Sequence, residues 1–456
     1  MHLPTLVIIG GGFSGLMTAA NIVAQSQKPL RIIVFDPTQQ VGQGLAYATK
    51  DLSHLLNVRA AKMGAWSGHA DGFYQWLSTN SHYQSHYTAD SFVPRAIFAE
   101  YLNHIHATMQ AQALTKNIII QHESQIAVSL TTKNNGYDVR CEDGQIFHAN
   151  AVVLASGNPL PEPSRMLPGL KQVDARNILP SAWDSQALAK RVKELPESGC
   201  IFILGAGLTM VDSILTLRRE GYQGRIIALS RKGHLPLPHL DHMQPATTDI
   251  VAALDASAPN VRDWMRLIRD RVRRAQHEGS DWRVVIDALR VDTIRLWQTL
   301  PNQEKSRFFR HVFGLWNIHR HRMAPEIHTH IMQLQDTATL KLMRGRIQSV
   351  AQQGAQICIS VLHTDGQVEQ IQANAVMLCA GPGYHFARGG SPLYADMLTQ
   401  GLVESDPCGY GVIVPDSSKG LFAIGTPCIG RRLESTAVPE LREQAQVVAL
   451  SALPIL

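Results

Sequence analysis

The stretch LVIIGGGFSG, residues 6–15, decides the fold of this chain. Its four apolar residues predict a buried strand, and the spacing Gly10-x-Gly12-x-x-Gly15 predicts a tight turn into a helix. Gly10 permits the turn, Gly12 lets the backbone approach a pyrophosphate, and Gly15 allows the helix to pack closely on the strand. Asp36 ends the next strand, where a carboxylate accepts hydrogen bonds from a ribose diol. Together they predict dinucleotide binding rather than a merely structural glycine turn.

A larger pattern of the sequence occurs twice. The phrase ANAVVLASG (149–157) returns as ANAVMLCAG (373–381), each time after an Asp-Gly signal for a β-hairpin. Upstream, FILGAGLTM (202–210) repeats the glycine-rich stretch, and RIIALSR (225–231) repeats RIIVFDP (31–37). The sequence therefore predicts an α/β fold with two dinucleotide-binding, Rossmann-like βαβ domains, one inserted in the other.

The second glycine turn is an incomplete copy of the first. Gly205 and Gly207 are followed by Leu208 and Thr209, and Met210 takes the place of the third glycine. A bulky side chain there predicts that helix and strand lie slightly farther apart than in the first unit. These residues nevertheless predict a second nucleotide site.

The residues that follow the second strand of each unit differ in charge. Ser230 takes the place of Asp36, and Arg231 and Lys232 follow it. A carboxylate suits a free 2′-hydroxyl and repels a 2′-phosphate, whereas a hydroxyl beside a guanidinium suits the phosphate. We therefore predict an unphosphorylated adenosine in the first unit and NADPH in the second, with NADH as the other possibility. The alternative is an ordinary solvated loop at 230–232. Two dinucleotides indicate a flavoprotein that holds FAD and receives hydride from a nicotinamide.

The composition indicates a globular chain of two or three domains, since it has 456 residues, 45% hydrophobic and 17% charged. No stretch resembles a membrane-spanning helix, and the first residues lack the features of a signal peptide. We therefore expect a cytoplasmic protein without a membrane partner. The six cysteines form no CxxC pair, which argues against a metal site and a dithiol centre, so we set thiol-disulfide reductase activity aside.

The net charge of +5 is concentrated in the middle of the chain. Residues 261–325 contain 14 Arg and Lys against 7 Asp and Glu. Because no RNA- or DNA-binding motif accompanies this charge, we expect a small-molecule substrate rather than nucleic acid. The same region has apolar residues at helical spacing, which predicts a helical insertion whose Trp and Leu side chains form a core rather than a substrate pocket.

Several further motifs resemble one family over nearly the whole chain. They include GQGLAYAT (42–49), HLLNVRAAKM (54–63), FVPRAIFAEYL (92–102), LSRKGHLP (229–236), HRHRMAPE (319–326) and LESTAVPELREQA (433–445). They resemble the bacterial FAD/NAD(P)-binding family that includes FAD-dependent urate hydroxylase, which is distantly similar to the lysine and ornithine N-hydroxylases. The resemblance implies FAD, NADPH or NADH, molecular oxygen, and hydroxylation of a small polar molecule through a C4a-peroxyflavin.

The resemblance, together with the repeat, assigns FAD contacts to residues along the chain. These are Gly10, Gly12, Phe13, Ser14, Gly15, Asp36, Asn57, Val58, Arg95, Ser156, Gly157, Gly425, Thr436 and Ala437. A helix that begins near Pro439 would direct its N-terminus at the flavin and stabilise the reduced form. The alternative is that STAVPE (435–440) only caps that helix.

No residue is predicted to be catalytic from the chemistry alone, because such flavin chemistry needs neither a nucleophile nor paired carboxylates. Asn57, Arg59 and His54 are candidates for flavin or substrate contacts, and a structural role is the alternative for each. Thr426 stands where the wider flavoprotein class often has an aspartate. The cluster His319 to Arg322 has two interpretations, contact with phosphates or an anionic substrate, or a solvated basic helix face.

Three functions stay open from the sequence. The first is the FAD-dependent monooxygenase, the second a flavin-dependent reductase or dehydrogenase without oxygen insertion, and the third a flavoprotein redox sensor with a basic binding surface. The predicted domains are FAD-binding at 1–160 and 375–456, NAD(P)H-binding at 198–240 and 336–374, and a helical insertion at 241–335.

Overall fold

The computed structural model describes residues 3–38, 40–159, 166–180, 183–242, 249–388 and 390–456. Within them the chain forms two α/β units of the same plan, a group of helices, and a C-terminal segment that packs on the first unit. This arrangement confirms the predicted fold class.

The first unit contains a parallel sheet, an antiparallel meander and covering helices. Its elements are β1 (Thr5–Ile9), α1 (Phe13–Gln25), β2 (Arg31–Phe35), α2 (Gly44–Tyr47), α3 (Gly72–Thr79), α4 (Arg95–Thr115), β3 (Ile119–Glu123), β4 (Ala127–Lys133), β5 (Gly136–Cys141), β6 (Ile146–Ala149) and β7 (Ala151–Leu154). Strand β1 is buried along its whole length, as expected for an apolar parallel strand covered on both faces.

The second unit begins further along the chain and is interrupted by helices. Its first part contains β8 (Ile178–Leu179), α5 (Ser185–Val192), β9 (Cys200–Leu204), α6 (Leu208–Arg219) and β10 (Arg225–Ser230). The helical insertion follows, with α7 (Asp249–Asp255), α8 (Val261–His277), α9 (Trp282–Leu289), α10 (Thr293–Thr299), α11 (Asn302–His311), α12 (Phe313–Arg320) and α13 (Pro325–Asp336).

The remaining elements complete the second unit and return to the first. They are β11 (Leu340–Arg344), β12 (Arg346–Gln353), β13 (Gln356–Leu362), β14 (Val368–Ala373), β15 (Ala375–Leu378), α14 (Pro392–Thr399), β16 (Glu404–Ser405), β17 (Val412–Ile413), β18 (Leu421–Ala423) and α15 (Val438–Ala452).

The two parallel sheets have matching strand orders. The first is β18-β7-β1-β2-β3, and the second is β8-β15-β9-β10-β11. In each sheet the strand before the glycine turn pairs with the strand that follows the meander, Ile9 with Leu154 and Leu204 with Leu378. The nine-residue phrase occurs twice because each unit returns from its meander to its parallel sheet by an equivalent strand, β7 in the first unit and β15 in the second.

The chain leaves the second sheet after Leu378. Strand β15 pairs with β9 and β8 of the second sheet, whereas α14 packs on β4 and β18 pairs with β7 of the first unit. The chain therefore passes from the second unit back to the first a few residues after position 375, where the sequence predicted this crossing. The predicted domain boundaries stay predictions, and the expected boundary at residue 160 lies outside the described residues.

The alternating faces of β1 build two cores on the first sheet. Leu6 and Ile8 pack with residues of α1, α4 and α15 on one face. Val7 and Ile9 pack with the meander and α14 on the other face. The glycine turn at the end of β1 is therefore held on both sides by buried apolar layers.

The helical insertion has an apolar interior of its own. Val284, Leu289 and Trp297 are buried among other apolar side chains of the insertion. Because Leu289 and Trp297 also line an apolar cavity of about 70 Å³ within the insertion, the choice of core over substrate pocket stays a prediction.

Candidate functional site

Glycine is required at two positions of the first turn. Gly10 has φ +110°, and a Cβ there would lie 2.2 Å from the Ala155 carbonyl oxygen of the repeated phrase. A Cβ at Gly15 would lie 2.0 Å from the Gly10 carbonyl oxygen. The turn is therefore as tight as the sequence predicts, and it presses on the strand and on the end of β7.

The N-terminus of α1 has no side-chain cap. Gly12 is the N-cap residue, and no side chain caps the helix. Phe13 and Ser14 form the first turn, and Ser14 Oγ lies 3.5 Å from where a Gly425 Cβ would be. A helix N-terminus without a side-chain cap offers N–H groups and a positive dipole end to phosphate.

Asp36 supports the glycine turn through its carboxylate. Its Oδ2 accepts a hydrogen bond from Gly11 N at 2.7 Å, and its Oδ1 accepts from Thr38 N at 2.8 Å and from Thr38 Oγ1 at 2.7 Å. An ionised carboxylate has about four acceptor positions, so three internal bonds leave capacity for a ribose hydroxyl.

The second glycine turn repeats the first with one difference. Gly205 has φ +116°, and a Cβ there would lie 2.3 Å from the Cys379 carbonyl oxygen of the second phrase. Gly207 is the uncapped N-cap of α6, and a Cβ there would meet no described atom within 4 Å. Met210 is fully buried in the core of the second unit. Backbone space for a pyrophosphate therefore remains although the third glycine is missing.

A cationic edge follows strand β10. Ser230 Oγ accepts a hydrogen bond from Gly233 N at 2.9 Å, and Lys232 Nζ donates to the His311 carbonyl at 3.1 Å. Arg231 is exposed, and Ser230 pairs in register with the exposed Arg344 of β11. Arg344 was not predicted, because only the pairing of β10 with β11 brings it beside the loop.

A cavity of about 200 Å³ lies where the two units and the insertion meet. The first unit contributes Asn57, Val58 and Arg95, and the second contributes Leu208, Thr209 and Asp212. The rest of the lining is Ala46, Tyr47, Leu56, Met63, Trp183, His321, Thr436, Ala437 and Val438. Residues predicted to contact FAD and residues predicted to contact NADPH therefore line one cavity.

Arg95 joins the two units at the wall of this cavity. Its Nη1 lies 2.8 Å from Asp212 Oδ2 on α6, and its Nε donates to the Leu55 carbonyl at 3.1 Å. Both charged side chains are largely buried. The pair therefore holds the first helix turn of α4 against α6.

His54 lies behind the cavity wall and does not line it. Its Nδ1 is 3.0 Å from Thr49 Oγ1, and its Nε2 is 2.8 Å from Thr216 Oγ1 and 3.1 Å from the Asp212 carbonyl. The side chain is fully buried, and burial lowers its pKa. His54 therefore links the two units, which agrees with the structural role given as the alternative for this residue.

The Arg59 guanidinium also makes hydrogen bonds within the protein. Its Nη1 donates to the Asp90 carbonyl at 2.8 Å, and its Nη2 donates to the Leu240 carbonyl at 2.5 Å and the Asp241 carbonyl at 3.2 Å. Of the three candidates for flavin or substrate contact, only Asn57 lines the cavity, while its carbonyl accepts a hydrogen bond from His239 Nε2 at 3.0 Å.

The loops after β7 and β18 meet beside the first glycine turn. Ser156 Oγ is 2.7 Å from the Tyr394 hydroxyl, and Gly157 has φ +67° with open space around it. Gly425 has φ +78°, and Thr426 Oγ1 donates to Asn158 Oδ1 at 2.5 Å. The threonine that replaces the expected aspartate is therefore buried and used within the protein.

The N-terminus of α15 faces the cavity through Thr436 and Ala437. Ala437 is the N-cap residue and supplies no side-chain cap, and Pro439 lies in the first turn. The Ser435 hydroxyl is buried and has no hydrogen-bond partner among the described residues. The proline was predicted, but the alternative that STAVPE serves as a side-chain cap is not supported.

The cluster from His319 to Arg322 is not a solvated face. Arg320 and Arg322 are 5% and 4% exposed. Arg320 pairs with Glu434 at 3.2 Å and with Glu440 at 3.0 Å, while Arg322 pairs with Asp287.

The solvated-face interpretation is therefore wrong, because these cations have carboxylate partners brought from distant parts of the chain. His321 lines the cavity, and burial lowers its pKa to about 4.

All six cysteines are free, and the described residues contain no group of three metal-ligating side chains close enough to hold an ion. None of the described helices combines the length and apolar character needed to cross a membrane.

Comparison of the sequence with family models matches residues 7–159 to a family described as FAD-NAD(P)-binding. Comparison with curated proteins gives no significant match.

Solved structures match over nearly the full chain at low sequence identity. The ornithine N-hydroxylase of Kutzneria sp. 744, solved with reduced FAD, NADP+ and L-ornithine, has a TM-score of 0.65 and 10% identity over 99% of each chain. L-lysine 6-monooxygenase from Pseudomonas syringae has a TM-score of 0.65 and 14% identity over 100% of each chain.

The thioredoxin reductase of T. acidophilum has a TM-score of 0.51 and 11% identity, covering 98% of this chain and 97% of its own. Residues 7–159 therefore contain an FAD/NAD(P)-binding domain, and the whole chain shares the two-unit α/β fold of the ornithine and lysine hydroxylases.

Proposed function

We propose that the protein is an FAD-dependent, NAD(P)H-driven oxidoreductase, and that it is a monooxygenase that hydroxylates a small polar molecule. The observation that carries the proposal is the cavity shared by the two units, with Asn57 and Val58 on one side and Leu208 and Thr209 on the other. A site that transfers hydride between two nucleotides needs both of them to reach one place.

The residues of the first unit fit FAD. The uncapped N-terminus of α1 and the side-chain-free Gly12 suit the pyrophosphate, and Asp36 retains acceptor capacity for the ribose. Asn57, Val58 and the N-terminus of α15 would border the isoalloxazine ring.

The residues of the second unit fit a nicotinamide nucleotide. The uncapped N-terminus of α6 at Gly207 suits a pyrophosphate, and the exposed Arg231 and Arg344 offer a 2′-phosphate two cations. This charge favours NADPH over NADH. When bound, FAD would supply the capacity to accept hydride from NADPH and to pass electrons to oxygen.

The protein's own residues would orient the cofactors and exclude water. Apolar side chains, including Leu56, Met63 and Val438, form much of the cavity lining. Exclusion of water by this lining would favour transfer of oxygen to the substrate over release of hydrogen peroxide. This lining supports oxygen insertion over simple electron transfer, and the solved hydroxylases of the same fold support it as well.

The structure weakens the redox-sensor alternative. Arg320 and Arg322, two of the cations that suggested a basic binding surface, are buried in ion pairs. We place the enzyme in the cytoplasm, because six unpaired cysteines fit a reducing compartment.

Oxygen insertion is tested by product analysis. The purified protein, loaded with FAD, is mixed with NADPH and a panel of amines and purine-like heterocycles, and NADPH oxidation, hydrogen peroxide and product mass are measured together. A compound that accelerates NADPH oxidation and gains one oxygen atom supports the monooxygenase. NADPH oxidation that yields only hydrogen peroxide or a reduced acceptor across the panel supports the flavin-dependent reductase instead.

A further inference from the structure

Two carboxylates flank the cavity-facing segment that precedes α15. Glu434 and Glu440 lie on either side of the segment 435–437, whose Thr436 and Ala437 line the cavity. Glu434 is 2% exposed, and the Glu440 side chain is 10% exposed. Both are therefore desolvated acidic groups that need partners.

A single arginine of the helical insertion meets both carboxylates. Arg320, the last residue of α12, places Nη2 3.2 Å from Glu434 Oε2 and 3.0 Å from Glu440 Oε1. Its side chain is 5% exposed. One nitrogen of Arg320 therefore contacts the carboxylates that precede and follow the segment 435–437.

Two further residues of the insertion hold the same carboxylates. Trp316 Nε1 donates to Glu434 Oε1 at 2.9 Å, and Arg290 Nε donates to Glu440 Oε1 at 3.2 Å. Residues that belong to α12 or directly follow α9 thus contact both ends of the segment.

Local hydrogen bonds hold only the ends of this segment, since Gln444 Nε2 donates to the Glu434 carbonyl at 3.4 Å and the Leu441 amide donates to the Ala437 carbonyl at 2.9 Å. The N-terminus of α15 has no side-chain cap, and the buried Ser435 hydroxyl has no partner among the described residues. A buried ionic network is a poor source of net stability, because desolvation offsets the attraction, but it can specify one geometry.

We infer that Arg320 is a positioning residue that holds Glu434 and Glu440 so that Thr436, Ala437 and the N-terminus of α15 keep their place at the cavity. The flavin part of this inference rests on the proposed function. The helix N-terminus carries partial positive charge, which stabilises an anionic reduced flavin beside it. Arg320 would thereby act on the flavin through the segment 435–437.

The test compares Arg320→Met and Arg320→Lys with the wild-type protein, and Arg322→Lys is the control. Lysine keeps the charge, but its ammonium ends about one bond short of the position of Nη2, the nitrogen that contacts both carboxylates. Arg322 is equally buried and follows the same helix, but it pairs with Asp287. A triple variant, Arg320→Met with Glu434→Gln and Glu440→Gln, removes the charge of the two carboxylates, which in Arg320→Met keep only Trp316 and Arg290 as partners.

Hydrogen exchange of the flavin-free protein tests the positioning directly. The amides of Glu440 and Leu441, which donate to the Ala437 carbonyl, should exchange at least tenfold faster in both Arg320 variants and in the triple variant, and at the wild-type rate in Arg322→Lys. Unchanged exchange at these amides overturns the inference, whatever the protein binds.

Flavin measurements test the second half. The Arg320 variants should bind FAD several-fold more weakly, and the reduction potential of the bound flavin should become more negative. Wild-type potential in the triple variant overturns the link to the flavin and leaves the proposed function intact. Failure of the wild-type protein to bind FAD overturns the proposed function itself.

Discussion

Arg95 Nη1 and Asp212 Oδ2 lie 2.8 Å apart and join the two nucleotide-binding units at the wall of the shared cavity. Behind them, Thr216 Oγ1 donates to Asp51 Oδ2 at 2.9 Å, and His54 contacts both Thr216 and the Asp212 carbonyl. All of these groups are buried. These buried contacts connect the two units, so we expect the relative orientation of the units to depend on them.

Replacing Asp212 with Asn should destabilise the protein, because a buried Arg95 would lose its counter-charge. Removing one member of a buried pair costs about 3–5 kcal/mol. Urea unfolding measures the free energy, and reduction of bound FAD by NADPH should slow as well. Asp174→Asn is the control, since Asp174 pairs with Arg176 at the surface and its loss should leave both measurements unchanged. Equal stability of Asp212→Asn and wild type would show that the contact does not hold the units.

Replacing Arg231 with Ala should raise the KM for NADPH far more than the KM for NADH, because only NADPH carries the 2′-phosphate. Arg344→Ala should act in the same direction, since its exposed side chain stands beside Ser230. Arg140→Ala is the matched control, because this exposed arginine lies in β5 of the first unit and not in the loop after β10. Equal changes for the two nucleotides would remove the argument for the phosphate.

Alanine at the two glycines of the first turn should have different effects. At Gly15 the new Cβ would lie 2.0 Å from a backbone oxygen, so we expect poor folding. At Gly12 the nearest atom would be 3.5 Å away, so the variant should fold with wild-type thermal stability but bind FAD at least tenfold more weakly. Fluorescence titration of FAD and thermal unfolding separate the two. Wild-type FAD affinity in Gly12→Ala contradicts the assignment of the pyrophosphate.

Stability should decrease as the pH falls below 6.5, partly because of His239. Burial lowers the pKa of His239 to about 3, with nearby arginines acting in the same direction. In the unfolded state the His239 imidazole has a pKa of about 6.5, so between pH 6.5 and pH 3 the unfolded state binds a proton that the folded state does not bind. The contribution of His239 to the free energy of unfolding is therefore fully present above pH 6.5 and decreases from there towards pH 3.

His239→Gln should therefore reduce the slope of the unfolding free energy against pH between pH 6.5 and 4.5. The reduction should be about 1.4 kcal/mol per pH unit, which corresponds to the uptake of about one proton. The exposed His104→Gln should not change the slope. The same slope in all three proteins would exclude His239 as the cause.

The local signals in the sequence predicted much of the fold. Gly10 and Gly205 both have positive φ and lie close to the backbone of the repeated phrase, and Asp36 supports the first glycine turn. The glycine turns could be predicted because they depend on residues that are near one another in the sequence. The core of the insertion was also predicted, since Val284 and Leu289 follow a helical period.

Long-range pairing could not be predicted in the same way. Arg320 looked like part of a solvated basic run, because its partners Glu434 and Glu440 lie more than 100 residues away and charge runs are usually exposed. Arg95 with Asp212 is a similar case. The placement of β15 in the second sheet, by contrast, follows the repeat, because β15 pairs with β9 as β7 pairs with β1.

The most direct test of the shared cavity is an anaerobic titration of the FAD-loaded protein with NADPH, followed by flavin absorbance. We predict complete loss of the oxidised flavin band with about one equivalent of NADPH, because Asn57 and Thr209 line the same cavity and hydride transfer needs both rings there. Loss of the band with dithionite but not with NADPH would contradict the account.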